Sequence, residues 1–141
     1  MSTNPASNEN ATVHRASCLC GAVRVEVTGG LNPGDACHCN QCRRWSGHYW
    51  ASTNVRRERL AIHGEDNVGW FHSSGKVRRG FCRHCGSAMF WDPVDHGFMA
   101  IAMGVFDTPT GTHIEKHIFV ADKGDYYEVA DGLPQEMTPP A

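Results

Sequence analysis

A two-residue alternation of apolar and polar side chains is the main structural signal in this chain. Between residues 22 and 28, three valines occupy every second position and point to one face, while the charged residues between them point to the other. This pattern is typical of a strand with one buried face. Residues 13–20 read as the preceding strand, and the two strands predict a hairpin that turns at Cys20-Gly21.

Short apolar runs continue along the rest of the chain and predict further strands. Gly, Pro, Asn and Asp separate these runs at roughly the 8–12-residue spacing of all-β domains. The predicted strands lie at residues 48–53, 59–63, 68–72, 77–81, 88–91, 98–103 and 117–120. Residues 29–35 read as a loop and residues 40–45 as one helical turn, and no segment carries the sustained apolar stripe of a long helix.

The length of 141 residues predicts one domain, which we place at residues 13–135. A flexible leader at residues 1–12 precedes it, and an irregular tail at residues 136–141 follows it. The leader is rich in Ser, Thr and Asn and has neither a basic nor an apolar region, so it reads as neither a signal peptide nor a transit peptide. No apolar run approaches the roughly 20 residues that a membrane-spanning helix needs.

The charge of the chain argues against a nucleic-acid or membrane partner. The formal net charge is −2 with the cysteines neutral, and metal binding through thiolates would make the protein more acidic still. Basic clusters occur at residues 43–44, 56–59 and 76–79. A small anionic ligand could use one of them, but we expect each to be a solvated strand end that balances the thiolates.

Seven cysteines form three tight groups, and these groups carry the candidate chemistry. They are Cys18-x-Cys20, Cys37-x-Cys39-x-x-Cys42 and Cys82-x-x-Cys85. The odd count and the close spacing disfavour a disulfide framework, whereas thiolates two or three positions apart can bind one zinc ion at about 2.3 Å. Four plus three cysteines predict two zinc ions, and free thiols predict a reducing compartment, most simply the cytoplasm.

The two outer pairs predict a closed zinc site with four sulfurs. A glycine directly follows each pair, and it can turn the chain with positive φ and free a backbone N–H to face sulfur. A four-thiolate zinc has no open position and serves the fold. The predicted ligands of this structural zinc are Cys18, Cys20, Cys82 and Cys85.

The middle group predicts a different, catalytic zinc. Cys37, Cys39 and Cys42 leave a tetrahedral ion one ligand short, and an open position is where chemistry occurs. Because three thiolates make zinc a poor activator of water but leave it a good partner for sulfur, we expect the chemistry to concern a thiol bound as thiolate. Arg43 and Arg44 directly follow, and they can offset the negative charge or bind a carboxylate of the thiol ligand.

Two other interpretations of the cysteines stay open, and the large apolar residues have a structural interpretation. A histidine could complete the middle site as a second structural zinc, the candidates being His38, His48, His72, His84, His96, His113 and His117. The Cys-x-x-Cys spacings could serve redox chemistry, although no βαβ pattern surrounds them. Trp45, Trp50, Trp70 and Trp91 are expected in the core or in a pocket wall, and Met99 and Met103 in the core.

Several motifs together resemble the glutathione-dependent formaldehyde-activating enzyme family, whose relatives include centromere protein V-like proteins. The matching stretches are Cys18-Leu19-Cys20-Gly21-Ala22-Val23-Arg24, Cys37-His38-Cys39-Asn40-Gln41-Cys42-Arg43-Arg44-Trp45-Ser46-Gly47, Ser73-Ser74-Gly75-Lys76, Phe81-Cys82-Arg83-His84-Cys85-Gly86-Ser87 and Gly104-Val105-Phe106-Asp107. A later matching segment runs from His117-Ile118-Phe119-Val120 through Tyr126-Tyr127 to Asp131-Gly132-Leu133-Pro134. The resemblance therefore runs from about Ser17 to Gln135, nearly the whole chain.

The resemblance implies an all-β "β-tent" fold, a structural zinc at the outer cysteines and a catalytic zinc at Cys37, Cys39 and Cys42. The family activity is the condensation of glutathione with formaldehyde to S-(hydroxymethyl)glutathione, a step of formaldehyde detoxification that is classed by its reverse direction as a carbon–sulfur lyase reaction. The implied partners are therefore a small thiol such as glutathione, and formaldehyde. Another thiol adduct handled by the same zinc fits the sequence equally.

Two functional hypotheses follow. In the first, the protein is an enzyme in which the zinc-bound thiolate attacks formaldehyde, with His38, Ser46 or His48 as the proton donor by proximity. In the second, both zinc ions are structural and the domain is a non-catalytic interaction module. A fourth protein ligand at the middle zinc would favour the module, and an open position in a cleft would favour the enzyme.

Overall fold

A computed structural model describes residues 12–138 of the chain. The predicted leader, apart from Thr12, and the last three residues of the predicted tail lie outside the described residues. The all-β prediction is confirmed, since the described part folds into strands with one short helix. The strands are β1 Val13–Ser17, β2 Arg24–Thr28, β3 Gly34–Cys37, β4 Trp50–Arg56, β5 Leu60–His63, β6 Val68–His72, β7 Val77–Cys82, β8 Ala88–Pro93, β9 Phe98–Ala102 and β10 Ile114–Ile118, and the helix is α1 Asn40–Ser46.

The strands form two sheets. The smaller sheet has the order β1-β2-β5, and the larger has the order β10-β3-β4-β9-β8-β7-β6. Neighbouring strands run antiparallel, except that β10 runs parallel to β3. No helix in the described part of the chain is long and apolar enough to cross a membrane.

The first hairpin is confirmed with shorter strands than predicted. β1 ends at Ser17 opposite Arg24, where β2 begins, so the first cysteine pair lies in the turn rather than in a strand. Within this turn the Cys18 N–H donates to the Val23 carbonyl at 3.0 Å, and the Gly21 N–H donates to the Cys18 carbonyl at 3.2 Å. Gly21 has φ 83°, a conformation that glycine adopts without steric cost.

The predicted loop at residues 29–35 is wrong at its end, where Gly34 and Asp35 begin β3. This strand has no β-branched residue, and it forms because β10 and β4 pair with it on its two sides. A Cβ at Gly34 would lie 2.7 Å from the Ser52 carbonyl oxygen and 2.2 Å from Met103 Sδ, so only glycine fits there. The last strand is also earlier than predicted, since β10 ends at Ile118.

Two apolar clusters form the core. The larger one lies between the sheets, and Val23, which directly precedes β2, and Val25 and Val27 of β2 are all 0% exposed in it, as the alternation predicts. The smaller one lies beneath α1 and contains Cys42, Trp50, Ala100 and Ala102, with Trp45 and Trp91 packed against it. The prediction that the tryptophans line the core or a pocket is confirmed, and the smaller cluster forms the base of the site described next.

The arginines of the basic clusters are more than solvated strand ends. Asp92 is 1% exposed and accepts hydrogen bonds from Arg57 Nη2 at 2.6 Å and from Arg78 Nε at 2.7 Å. Arg59 Nε donates to the Thr28 carbonyl at 2.6 Å. For these residues the expectation of solvated charges is wrong, because Arg57 and Arg78 join the 3-10 turn before β5 and strand β7 to β8, and Arg59 joins the same turn to the end of β2.

Candidate metal centres and active-site cleft

The two outer cysteine pairs meet at the junction of the two sheets. Cys18 and Cys20 come from the β1–β2 turn, Cys82 ends β7, and Cys85 lies in the turn that follows. All four sulfurs lie within 4.8 Å of one another. The pairing of distant cysteines expected from spacing is therefore present in the fold.

The geometry of this cluster, here named the four-sulfur cluster, fits a tetrahedral zinc ion. Cys20 Sγ lies 3.7 Å from both Cys18 Sγ and Cys82 Sγ. Sulfurs bound to one zinc at about 2.3 Å stand about 3.8 Å apart in a tetrahedron. The backbone N–H groups of Val23 and His84 donate to Cys18 Sγ at 3.3 Å and to Cys82 Sγ at 3.4 Å, as expected for thiolates.

The middle cysteines also converge. Cys37 ends β3, Cys39 caps the start of α1, and Cys42 lies in its first turn. Their sulfurs lie within 4.8 Å of one another, and no other His, Cys, Asp or Glu of the described residues joins the group. We call this group the three-sulfur cluster, and its donor set fits a soft divalent ion such as zinc.

Hydrogen bonding divides the protons of the three-sulfur cluster unevenly. Hydrogen bonds from the Cys37 and Cys42 thiols lower the pKa of Cys39, which also accepts the Cys42 backbone N–H at 3.3 Å. The hydrogen bond that Cys37 makes to Cys39 in turn raises the pKa of Cys37. Cys39 is thus poised as a thiolate, which is the form that binds a metal.

His38 lies between two of these cysteines in sequence but its ring turns away from them. It is 0% exposed, its Nδ1 contacts the Tyr127 hydroxyl, and its Nε2 lies 2.9 Å from His117 Nδ1. Burial lowers the pKa of His38 to about 4, so the ring is neutral. Both ring nitrogens are engaged, which disfavours His38 as the fourth metal ligand.

This contact continues into a chain of polar groups, called the buried chain for its two buried histidines, which reaches the surface at Asp131. His117 is 3% exposed, and its Nε2 lies 2.7 Å from Asp131 Oδ2. The hydrogen bond from His117 lowers the pKa of Asp131. The chain from Asp131 through His117 and His38 to Tyr127 therefore ties the C-terminal segment to the backbone of the three-sulfur cluster.

A cleft with a volume of about 750 Å³ opens onto the three-sulfur cluster. All three cysteines line it, and its walls are largely apolar. The apolar walls come from Trp50, Val77, Trp91, Phe98, Ala100, Ile118 and Phe119. A smaller cavity of about 470 Å³ lies on the three-stranded sheet, away from every cysteine. The larger cleft is the candidate active site.

Two residues that sequence reasoning did not assign lie in this cleft. Asp35 shares a face of β3 with Cys37, two positions away, and lines the cleft beside it. Burial raises the pKa of Asp35. Arg79 is 4% exposed, and its Nη1 lies 3.6 Å from Cys42 Sγ. The sequence indicates the orientation of Arg79 but not its partner: strand alternation places its side chain on the same face of β7 as the apolar Val77, which also lines the cleft.

The two arginines predicted from the sequence do not line the cleft themselves, but each hydrogen-bonds to a residue that does. Arg43 Nη1 donates to the Asp122 carbonyl at 3.1 Å, and Arg44 Nε donates to Asn40 Oδ1 at 3.0 Å. Asp122 and Asn40 both line the cleft. The role of Arg43 and Arg44 in ligand binding stays a prediction.

The predicted proton donors are engaged elsewhere. Ser46 Oγ donates to the carbonyls of Cys42 at 2.9 Å and of His48 at 2.7 Å. His48 is exposed and contacts the Tyr126 hydroxyl. With His38 held in the buried chain, Asp35 is better placed in the cleft than these three residues.

Comparisons with known proteins found similar sequences and a similar fold. A family model described as glutathione-dependent formaldehyde-activating enzyme matches residues 13–122. An uncharacterized lyase of Schizosaccharomyces pombe is 23% identical over 119 residues, which cover 84% of this chain and 86% of that protein. A crystal structure of a Rhodobacter sphaeroides protein has a TM-score of 0.58 at 21% identity, covering 70% of this chain and 98% of that chain. The last likeness concerns the fold alone.

Proposed function

Because this chain belongs to the glutathione-dependent formaldehyde-activating enzyme family, we propose that it is a zinc-dependent carbon–sulfur lyase-type enzyme. Its substrate would be the adduct of formaldehyde with glutathione or a related small thiol, formed or cleaved in the cleft. Family membership and the lyase description of the yeast relative support an enzyme of this broad class. The observation that carries the finer proposal is the cluster of three sulfurs, not four, at the base of a cleft.

The residues of the cleft suit this reaction. Zinc held by Cys37, Cys39 and Cys42 would supply a Lewis-acid position that takes a substrate sulfur as thiolate. The four-sulfur cluster would hold a second, structural zinc. The apolar walls lower the local polarity beside the three sulfurs, which strengthens electrostatic interactions there.

We assign the proton transfer to Asp35. Formation of the adduct joins sulfur to the carbon of formaldehyde, and the carbonyl oxygen takes up a proton to become a hydroxyl. The Asp35 carboxyl stands on the same cleft wall as Cys37, and burial raises its pKa, which suits a general acid in one direction and a general base in the other. Arg43 and Arg44, which hydrogen-bond to lining residues of the cleft, would bind a carboxylate of the thiol substrate.

The proposal also implies a compartment. All seven cysteines are free thiols in the structure, which supports a reducing environment such as the cytoplasm. An oxidising compartment would convert the exposed Cys20 and its neighbours to disulfides and remove the metal ligands.

Exchange spectroscopy tests the function directly. Thiols add to formaldehyde without a catalyst, so the rate of exchange between ¹³C-formaldehyde and its glutathione adduct is measured by NMR with and without zinc-loaded protein. We expect the wild type to raise the exchange rate well above background and Cys42→Ser to leave it at background while keeping the fold. A wild-type rate equal to background with glutathione and with other small thiols would refute the proposal.

A further inference from the structure

Arg79 is a buried cation without a carboxylate partner. It lies on β7 with 4% of its surface exposed, and none of the ion pairs among the described residues includes it. Nη2 donates to Gln41 Oε1 at 3.1 Å, and Nε is buried with no hydrogen-bond partner in the described part of the chain. The neighbouring Arg78, in contrast, has Asp92 as its counter-ion.

The three-sulfur cluster lies next to the Arg79 guanidinium. Nη1 lies 3.6 Å from Cys42 Sγ, and the guanidinium stands 5.2 Å from the centre of the Trp45 ring. A buried charge without a partner is costly, so the structure favours a cluster that carries negative charge. Three thiolates around one divalent ion carry a net charge of −1, which one arginine balances.

The four-sulfur cluster lacks this arrangement. Its sulfurs receive hydrogen bonds from backbone N–H groups, such as those of Val23 and His84, and Cys85 Sγ lies 3.2 Å from the Ser87 hydroxyl. No arginine or lysine side chain of the described residues hydrogen-bonds to these sulfurs. A cation therefore accompanies the cluster that has a free position and faces the cleft, where an incoming thiolate would add a further negative charge.

We propose that Arg79 is a positioning residue that makes the three-sulfur site select an anionic fourth ligand, a thiolate, over a neutral one. It does so by balancing the charge of the cluster and by holding Cys42 Sγ through a charge-assisted hydrogen bond. The inference rests on the proposed function in that a divalent ion occupies this cluster. It adds the basis on which the site distinguishes its ligands.

Cobalt-substituted protein provides a readout that does not depend on activity. The absorption bands of Co²⁺ change when a fourth ligand binds, so dissociation constants can be measured for azide and 2-mercaptoethanol as anionic ligands and for imidazole as a neutral one. In Arg79→Met, we expect the affinity for both anionic ligands relative to imidazole to fall about tenfold or more, since an opposite charge a few ångströms away is worth at least that much. Arg79→Lys should recover most of the preference.

Arg78→Met is the matched control, because it removes an arginine from the same strand but leaves the cluster untouched. It is expected to lower stability through Asp92 and to keep the wild-type ratio of affinities. If Arg79 had a purely structural role, Arg79→Met would weaken the binding of all three ligands by the same factor. The ratio of affinities would then be unchanged, and that result would overturn the inference.

The test separates this inference from the proposed function. If the wild type shows the anion preference, Arg79→Met loses it and no exchange activity is found, the proposed function is refuted and the inference stands. If the wild type is active but Arg79→Met keeps the wild-type affinity for the anions relative to imidazole, the inference is refuted and the proposed function stands. If Arg79→Met does not fold, Arg79→Gln replaces it. If neither folds, the affinity ratio of the wild type decides: imidazole bound as tightly as azide and 2-mercaptoethanol, or more tightly, overturns the inference, and a preference for both anions over imidazole upholds it.

Discussion

Asp35 combines a position in the cleft with a raised pKa. Strand alternation puts it on the cleft wall beside Cys37, and burial disfavours its ionised form. We expect Asp35→Asn to lower kcat by about a hundredfold, the low end of what general acid–base catalysis contributes, with little change in KM. The exchange rate measured by NMR checks this at several thiol concentrations.

Asp122→Asn serves as the control for Asp35. Asp122 also lines the cleft, but it lies in the 3-10 turn after β10 and its side chain is exposed. Its replacement should leave kcat within about twofold of wild type. Equal losses in the two variants would show that Asp35 acts only through the charge of the cleft and not through proton transfer.

Tyr127 links stability to pH in the alkaline range. Burial raises the pKa of Tyr127 above its ordinary value of 10.0, so the unfolded chain loses this proton first as the pH rises. The contribution of Tyr127 to the free energy of unfolding is therefore complete below pH 10 and declines above it. Tyr127→Phe should show a smaller alkaline decline, and at pH 7 it should cost about 1–3 kcal/mol, because buried His38 Nδ1 loses its partner.

Urea unfolding of the metal-loaded protein at pH 7 and at pH 10 to 11 measures both effects. Tyr126→Phe is the control, because Tyr126 is 62% exposed and should change the stability at pH 7 by less than about 0.5 kcal/mol. An alkaline decline that is identical in wild type and Tyr127→Phe would assign it to other groups.

At the residue scale, the sequence reveals the cysteine metal ligands better than the side chains that surround them in the fold. The cysteine groups were found because metal spacing is local, and Gly21 and Gly86 marked their turns. Asp35, Arg79 and the buried chain from His38 to Asp131 were missed, because their partners come from strands far apart in sequence. Only the folded sheet brings Arg79 within 3.6 Å of Cys42 Sγ.

At the scale of elements, the β6–β7 hairpin is built by placing aromatic rings over glycines. Gly69 pairs with Phe81 and Gly80 with Trp70 across the two strands. A Cβ at Gly80 would lie 2.7 Å from the Trp70 ring and 2.9 Å from Phe90, and a Cβ at Gly69 would lie 2.6 Å from the Phe81 ring. This packing fixes the strand that carries Arg79 and ends at Cys82.

We expect Gly80→Ala to lower the free energy of unfolding by about 1–3 kcal/mol, the typical cost of overpacking. The matched control is Gly75→Ala in the turn of the same hairpin, where a Cβ would meet nothing within 4 Å. Urea denaturation of both variants checks the prediction. If Gly80→Ala were as stable as Gly75→Ala, the aromatic rings would have room to move and would not fix the hairpin.

Strands with a clear alternation were predictable, and strands made by their neighbours were not. The valines of β2 and the apolar runs of β4 to β9 carry the local signal. β3 reads as a loop because Gly34-Asp35-Ala36-Cys37 has low strand propensity, yet it is paired on both sides. The parallel β10–β3 pair joins segments about eighty residues apart, so no local pattern could reveal it.

For the whole molecule, the four-sulfur cluster joins the two sheets. The β1–β2 turn belongs to the three-stranded sheet, whereas Cys82 ends a strand of the seven-stranded sheet. The three-sulfur cluster instead uses residues 37–42, where the backbone of β3 and α1 is already held by neighbouring strands and by the buried chain. The contact between the two sheets therefore depends on the four-sulfur cluster, whereas the fold around the three-sulfur cluster does not depend on its metal ion.

This difference predicts a two-step response to metal removal. With increasing chelator, the ion at the three-sulfur cluster should leave first, since it has one protein ligand fewer and faces the cleft, and the strand signal in circular dichroism should persist. The second ion should leave together with the fold, because structural zinc contributes several kcal/mol or more to stability. A colorimetric chelator and circular dichroism, recorded on the same sample, follow both events. Cys42→Ser should show only the later step, in which the ion is released as the protein unfolds, whereas Cys82→Ser should be destabilised as a whole. Release of both ions in one step, together with unfolding, would contradict the division into a structural and a catalytic site.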